Sequence, residues 1–265
     1  MKNVKINLNL TKYFLLGIIF ISLMNHVQAQ KRDYYEIKLY RVSTNEQVKK
    51  VDDFLQNAYL PALHKAGIPK IGVFHPIGND TAIDKRVYVF IPIRSLDKLT
   101  IVEDLFMSDA DLSQAGDAYW NAAFNASPFN RIETIVLRAF PLMTSFAVPN
   151  LTGKKTDRVY ELRSYEGPTE RLYRQKVKMF NVGGEIALFK RLNFNAVFYS
   201  EVIAGSHQPN LMYMTSFNNR ADRDEHWKTF GADPEWVKLK DVPEYKNTVS
   251  KNEQILLNPT EFSEL

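Results

Sequence analysis

From Tyr34 to Val42 polar and apolar side chains alternate, with aromatic residues and Ile prominent, and this pattern predicts a β-strand. Thr44, with Gln47 three residues on, has the form of a helix-capping box. Val48, Val51, Phe54, Leu55, Ala58 and Tyr59 then recur at helical spacing, and Gly67 stops the helix. Residues 70–76 and 86–93 predict a strand pair across the polar loop Gly78-Asn79-Asp80. From Ser95 the pattern is helical again, interrupted near Ser108, and residues 131–140 close with a strand. The order is β-α-β-β-α-β, the split ferredoxin-like unit.

The same order returns about 125 residues later. Tyr35-Glu36-Ile37-Lys38-Leu39-Tyr40 matches Tyr160-Glu161-Leu162-Arg163-Ser164-Tyr165, and Tyr88 falls on Tyr213. Phe106 and Asp109 fall on Phe230 and Asp233 at an offset of 124. The second copy predicts strands at 158–165, 194–203, 210–217 and 252–257, a helix over about 168–191, and further helices within 219–248. Pro141, Pro149, Asn150, Gly153 and Lys154-Lys155 mark 141–157 as a linker between repeats at 30–140 and 158–265. Two copies are too few and too long for a solenoid. Each sheet has one helix-covered face and one bare face, so packing bare face to bare face hides both. The expected fold class is therefore α+β: two tandem ferredoxin-like halves packed sheet to sheet, an intramolecular dimeric α/β barrel.

The first residues follow a different pattern. Lys2, Lys5 and Lys12 precede a twelve-residue apolar run, Tyr13 to Met24, too short to span a bilayer. Val27-Gln28-Ala29 supplies small residues where a signal peptidase reads. Residues 1–29 thus read as a secretory signal peptide cut after Ala29, giving a secreted or periplasmic protein with no transmembrane segment once mature. Without residues 1–29 the 34 basic residues fall to 31, against 30 acidic ones. That near-neutral balance gives no basic stripe for nucleic acid. Cysteine is absent, so no disulfide and no thiolate metal site can form. No two of the five His have the i, i+4 spacing of a zinc helix, and the expectation is no metal. No G-x-G-x-x-G follows a strand, no P-loop is present, and Gly205-Ser206 lacks the partner Gly of a nucleophile elbow, so no cofactor is expected.

Alternate residues of a strand point to opposite faces. With Tyr35, Ile37 and Leu39 set against the helices, Tyr34, Glu36, Lys38 and Tyr40 would line the barrel interior, joined by Glu161, Arg163 and Tyr165. A carboxylate beside a cation, flanked by tyrosine hydroxyls, suits a small polar ligand. Gly183-Gly184 breaks a helical stretch, and Asn181 and Glu185 beside it are either ligand groups or caps. Tyr199 and His226 complete the candidate set. His226 shares a helix face with Arg223, His75 lies on a strand that would bring it towards the interior, and His64 suits a helix C-terminus. Trp120, Trp227 and Trp236 read as core aromatics rather than a stacking platform.

From Met179 onward the runs Met179-Phe180-Asn181, Gly183-Gly184-Glu185-Ile186, Val197-Phe198-Tyr199 and Pro209-Asn210-Leu211-Met212-Tyr213-Met214-Thr215-Ser216-Phe217 resemble the NIPSNAP family. Arg223-Asp224, His226-Trp227, Asp233-Pro234, Pro243-Glu244-Tyr245 and Asn247-Thr248-Val249-Ser250 continue the resemblance, which is strongest over 158–262. Asn193 stands where that pattern has Gly, and His207-Gln208 where it has an apolar residue. The resemblance implies a dimeric α/β barrel and says little about a reaction; better-known members are discussed as mitochondrial interaction and signalling proteins. The expected function is a secreted module binding a small ligand or a protein partner at the barrel interior or its rim. The alternatives are a cofactor-independent enzyme of monooxygenase or isomerase type, and an assembly protein, with homo-oligomers possible in any of these.

Overall fold

The computed structural model describes residues 31–205 and 207–265. Residues 1–30, where the signal peptide is expected, and Ser206 lie outside the described residues. Strands β1 (Tyr34–Val42), β2 (Gly72–Pro76), β3 (Lys85–Ile91) and β4 (Arg131–Ala139) form one half-sheet, and β5 (Val159–Glu166), β6 (Ala196–Ala204), β7 (Asn210–Phe217) and β8 (Lys251–Pro259) the other. All neighbours pair antiparallel, and the order β1-β3-β2-β8-β5-β7-β6-β4 closes on itself. The two halves are sewn together along β2/β8 and β4/β6, so a single eight-stranded barrel results and no sheet edge is left open.

Helices cover the outside. In the first half these are α1 (Asn45–Phe54), a π-helical turn (Leu55–Tyr59), α2 (Leu60–Lys65), α3 (Ile101–Ser108) and α4 (Ala110–Trp120). In the second they are α5 (Glu170–Asn181), α6 (Glu185–Arg191), α7 (Arg220–Ala232) and α8 (Pro234–Lys240). The capping signals act as their chemistry requires. Thr44 Oγ1 accepts from the Gln47 N–H at 3.1 Å, and the Gln47 side chain accepts from the Ser43 N–H at 2.8 Å. The interruption expected near Ser108 falls at Asp109, which caps α4, and its counterpart Asp233 caps α8. Gly184 takes a left-handed φ of 96° between α5 and α6, a backbone that admits glycine readily, and Asn193 holds φ 58° where the family pattern has Gly.

The barrel interior is aromatic and aliphatic. Tyr35, Ile37, Leu39, Phe74, Tyr88 and Phe90 from the first half meet Tyr160, Leu162, Phe198, Met212 and Met214 from the second. The Phe90 and Phe198 rings stack with centroids 4.9 Å apart, and Phe74 lies 4.8 Å from Tyr160. Phe146 and Leu151, from 141–157, and Leu265 pack against this cluster.

The face assignment of the first strands is therefore the reverse of the sequence expectation. Tyr35, Ile37 and Leu39 face the interior, whereas Tyr34 and Tyr40 pack in the layer between sheet and helices. Glu36 and Lys38 alternate with the interior residues, and Glu161, Arg163 and Tyr165 do the same in β5. The physical reason is dryness. A closed barrel has no edge through which water or a helical side chain can reach a charge, so burying Glu36 or Glu161 there would cost several kcal/mol. Between sheet and helices, partners arrive from the helices. Register corrects a second detail. Tyr88 pairs with Leu39 and points inward, but Tyr213 pairs with Arg163 and points outward, so the structural counterpart of Tyr213 is Val89, paired with Lys38. His75 also turns from the interior: its Nε2 lies 3.0 Å from Asp52 of α1.

Candidate functional site

The sheet–helix layer of each half holds a carboxylate–cation pair at the same place on the first strand of its repeat. In the second half that place is filled. The Glu161 carboxylate, fully buried, accepts from Arg163 Nε (2.6 Å), Arg223 Nε (2.8 Å), Arg223 Nη2 (3.0 Å) and Trp227 Nε1 (2.7 Å). A carboxylate has about four acceptor positions, and here four donors take them. The Arg163 guanidinium lies 3.7 Å from the Trp227 ring centroid and donates to the Tyr165 hydroxyl at 3.2 Å, which in turn meets the Tyr213 hydroxyl at 2.9 Å. Burial pushes the Glu161 carboxyl up, but Arg223 and Arg163 outweigh it and hold the group below its ordinary value. A saturated, ionised carboxylate under an indole has nothing left to offer a ligand.

The other second-half candidates divide. Glu185 Oε2 accepts from Lys176 Nζ at 2.9 Å, both groups being buried. Tyr199 packs near them against Phe180 and Phe189, where burial and the Glu185 charge push its hydroxyl up. Asn181 serves the backbone, donating to the Val177 carbonyl and accepting from the Leu142 N–H. His226 sits apart, its Nδ1 2.8 Å from the Asp222 carbonyl oxygen and its ring edge-on to Phe194. The structure thus gathers Glu161, Arg163 and Tyr165 into one network and leaves Asn181 and His226 outside it.

In the first half the same place opens into a cavity of about 500 Å³. Its lining includes Lys38, Tyr40, Phe54, Tyr59, Val102, Glu103, Tyr119, Trp120, Phe129 and Ile132, with Ala122, Ala123, Phe124, Ser127 and Pro128 from the chain after α4. Lys38 stands on the floor. Its Nζ donates to the Tyr59 hydroxyl at 2.9 Å and lies 3.9 Å from carboxylate oxygens of both Glu36 and Glu103. Glu36 is buried behind it and accepts from Thr134 Oγ1 at 3.4 Å. Burial pushes the Glu36 carboxyl up; Lys38 opposes this, Glu103 adds to it, and the net direction is upward. Burial likewise raises the Tyr59 hydroxyl, with Glu36 and Glu103 adding to it.

The contrast between halves has a simple residue origin. Phe106/Phe230 and the caps Asp109/Asp233 fix an offset of 124 in the helices, which sets Glu103 where the second half has Trp227 and Leu99 where it has Arg223. Both Glu103 and Trp227 reach the cation of the first strand, at Lys38 and Arg163. A carboxylate in place of an indole leaves space, and a leucine in place of Arg223 leaves Glu36 with the Lys38 ammonium and no guanidinium. Glu103, Tyr59 and Thr134 were not singled out by motif, nor were Arg223 and Trp227 as partners of Glu161. The signal that finds Glu103 and Trp227 is the comparison of the two repeats at the helical offset. The π-helical turn at Leu55–Tyr59 carries Tyr59, and such turns widen a helix and recur at functional sites.

Among the described residues no cluster of three or more His, Asp or Glu is spaced to hold a metal ion, and no helix is long and apolar enough to cross a membrane. A comparison with curated proteins found no match. Among solved structures, a candidate monooxygenase of Lactobacillus acidophilus NCFM is similar at 13% identity and a TM-score of 0.53, covering 86% of this chain and 94% of its own. A candidate monooxygenase of Fusobacterium nucleatum subsp. nucleatum is similar at 5% identity and a TM-score of 0.55, covering 87% and 93%. At these identities the likeness is one of fold. A NIPSNAP family protein of Agrobacterium tumefaciens str. C58 is similar at 22% identity over 41% of this chain and 98% of its own, with a TM-score of 0.37. The family model described as NIPSNAP matches residues 160–264, so the likeness to that family lies in the second repeat.

Proposed function

We propose that the chain binds a small, largely aromatic molecule bearing one polar group, in the sheet–helix cavity of its first repeat. The observation that carries the reading is the difference between the repeats: Lys38 and Glu103 face about 500 Å³ of space where Arg163 and Trp227 close the corresponding layer. An apolar-walled pocket with a few convergent polar groups is the usual form of a small-molecule site. Here Phe54, Tyr119 and Phe129 supply the walls, and Lys38, Tyr59 and Glu103 the polar end. The middle of the barrel is filled by Tyr35, Phe74, Phe90 and Phe198, and the space among Leu39, Tyr88 and Met212 at its mouth, about 230 Å³, is smaller than the cavity of the first repeat. A thermal-shift screen of small phenols, enols and aromatic ketones tests the reading, since a ligand of the native state raises its melting temperature. Hits should stabilise the wild type and lose their effect in Glu103→Trp; hits that stabilise both equally refute it.

A second reading rests on Glu36. A buried carboxyl held above its ordinary value, next to a lysine, is suited to move a proton. The solved structures of similar fold include two candidate monooxygenases. On this reading the polar group of the ligand is held by Lys38 while Glu36 takes or returns a proton, and the chain is a cofactor-independent enzyme. Exchange of an acidic C–H of a screening hit in D2O, present in the wild type and absent in Glu36→Gln, supports it. No exchange in either protein leaves binding alone.

We also propose that the protein is exported, with residues 1–29 removed after Ala29. N-terminal sequencing of the chain recovered outside the cytoplasm should begin at Gln30; a chain retained inside with Met1 intact contradicts it.

A further inference from the structure

At the seam between the halves, a second cavity of about 580 Å³ is lined by Arg138, Glu170, Arg171, Tyr173, Arg174, Glu201, Val202, Ile203, Gln208 and Pro209. Its centre is Glu201 of β6, almost fully buried. Three guanidiniums from three different segments converge on this one carboxylate. Arg32 Nη1 and Arg138 Nη2 each lie 3.2 Å from Oε1, and Arg174 Nη1 lies 2.7 Å from Oε2. Arg171, on the first turn of α5, adds a fourth guanidinium at the wall. Arg138, Arg171 and Arg174 line the cavity with Glu201 and the exposed Glu170, and Arg32, behind the lining, brings the cluster to four cations against two carboxylates.

Two polar atoms in this cluster are buried and unpartnered among the described residues: Arg138 Nε and the Tyr173 hydroxyl. Tyr173 is itself only 6% exposed and lines the cavity. Its hydroxyl feels the charges of Glu201, Arg174 and Arg138, so it belongs to the same cluster. Leaving buried donors unmade is costly, and each such atom in a native structure requires a reason. A structural clamp for Glu201 would need one guanidinium, or two; it does not need three with a fourth at the wall, nor two idle donors.

We propose that this seam is an oxyanion site that takes a phosphate group, either free or on a small phosphorylated molecule. The cluster's excess of two positive charges suits a phosphate dianion, and the unpartnered Nε–H and O–H are donors within the cluster. Arginine suits the group because its planar fork meets phosphate oxygens two at a time. The site is separate from the cavity of the first repeat: none of its residues lines that cavity.

Calorimetric titration of the whole chain with inorganic phosphate, against sodium chloride at equal ionic strength, reads the site directly. The expected result is one phosphate per chain. Arg174→Gln, at a side chain 65% exposed and with Arg32 and Arg138 still on Glu201, should weaken it by about tenfold, the loss of one charge-assisted contact, with the melting temperature read alongside to show that the variant is folded. Tyr173→Phe should weaken it as well, by a smaller factor. Parallel titrations with glycerol 3-phosphate distinguish a phosphorylated ligand, which binds more tightly than the free ion, from phosphate itself, which does not. Phosphate binding no stronger than chloride, or binding unchanged in both variants, overturns the proposal.

Discussion

Glu36 and Glu161 hold the same position in the two repeats, yet burial governs the first and two guanidiniums govern the second. Glu36 has one lysine at 3.9 Å and a second carboxylate beyond it, whereas Glu161 has Arg163 and Arg223 within 3.0 Å. The carboxyl of Glu36 is pushed above its ordinary value and that of Glu161 below.

These opposite directions give opposite pH dependences. A folded-state value above the unfolded one means that the folded state holds the proton longer, so the Glu36 contribution is fully present below about pH 4 and is lost as pH rises through the folded value. Glu36→Gln removes that loss. Its melting temperature relative to the wild type should increase from pH 4 to pH 7, and a difference that stays flat or declines contradicts the assignment.

Glu161 behaves in the other sense. Its folded value is depressed, so its contribution is present above the ordinary carboxylate range and fades as pH falls through the folded value. Glu161→Gln at pH 7 leaves Arg163 and Arg223 without their carboxylate and should cost about 3–5 kcal/mol in urea unfolding. The deficit should shrink at acid pH, where the wild-type carboxyl is itself protonated.

Phe90 and Phe198 join the halves inside the barrel. Either residue changed to Ala should lose about 3–5 kcal/mol, since a large buried ring is replaced by a cavity. The double mutant should lose less than the sum by about 0.5–1.5 kcal/mol, the coupling of a stacked pair. Additive losses in a double-mutant cycle, or two separate unfolding transitions, would count against a single shared core.

Much of the architecture could be read from particular residues. The alternation in Tyr34–Val42, the Thr44/Gln47 box, the break before α4 and the Gly183-Gly184 interruption each encode a local event that sequence neighbours decide. Which face of β1 turns inward is not local. Both alternating sets contain tyrosines and aliphatics, and only closure of the barrel decides that Tyr35, Ile37 and Leu39, rather than Glu36 and Lys38, go to the drier side. The same limit applies to the site. Glu36, Lys38 and Tyr40 were legible as a group, but their exposure to a cavity depends on Glu103, a residue distant in sequence that no motif marks. Tyr88 and Tyr213 match by letter while pointing to opposite faces, because the offset between repeats slips by one after the first strand. Comparing repeats by register rather than by letter restores the equivalence.

The central claim is that an open layer in one repeat, and a closed one in the other, makes the first repeat a binding site. Calorimetric titration with 1-naphthol, a neutral aromatic with one hydroxyl, on the wild type and on Glu103→Trp tests it most directly. The wild type should bind one molecule per chain, and Glu103→Trp, with an unchanged or higher melting temperature, should bind none. Equal binding by both proteins, or no heat from the folded wild type, would contradict the claim.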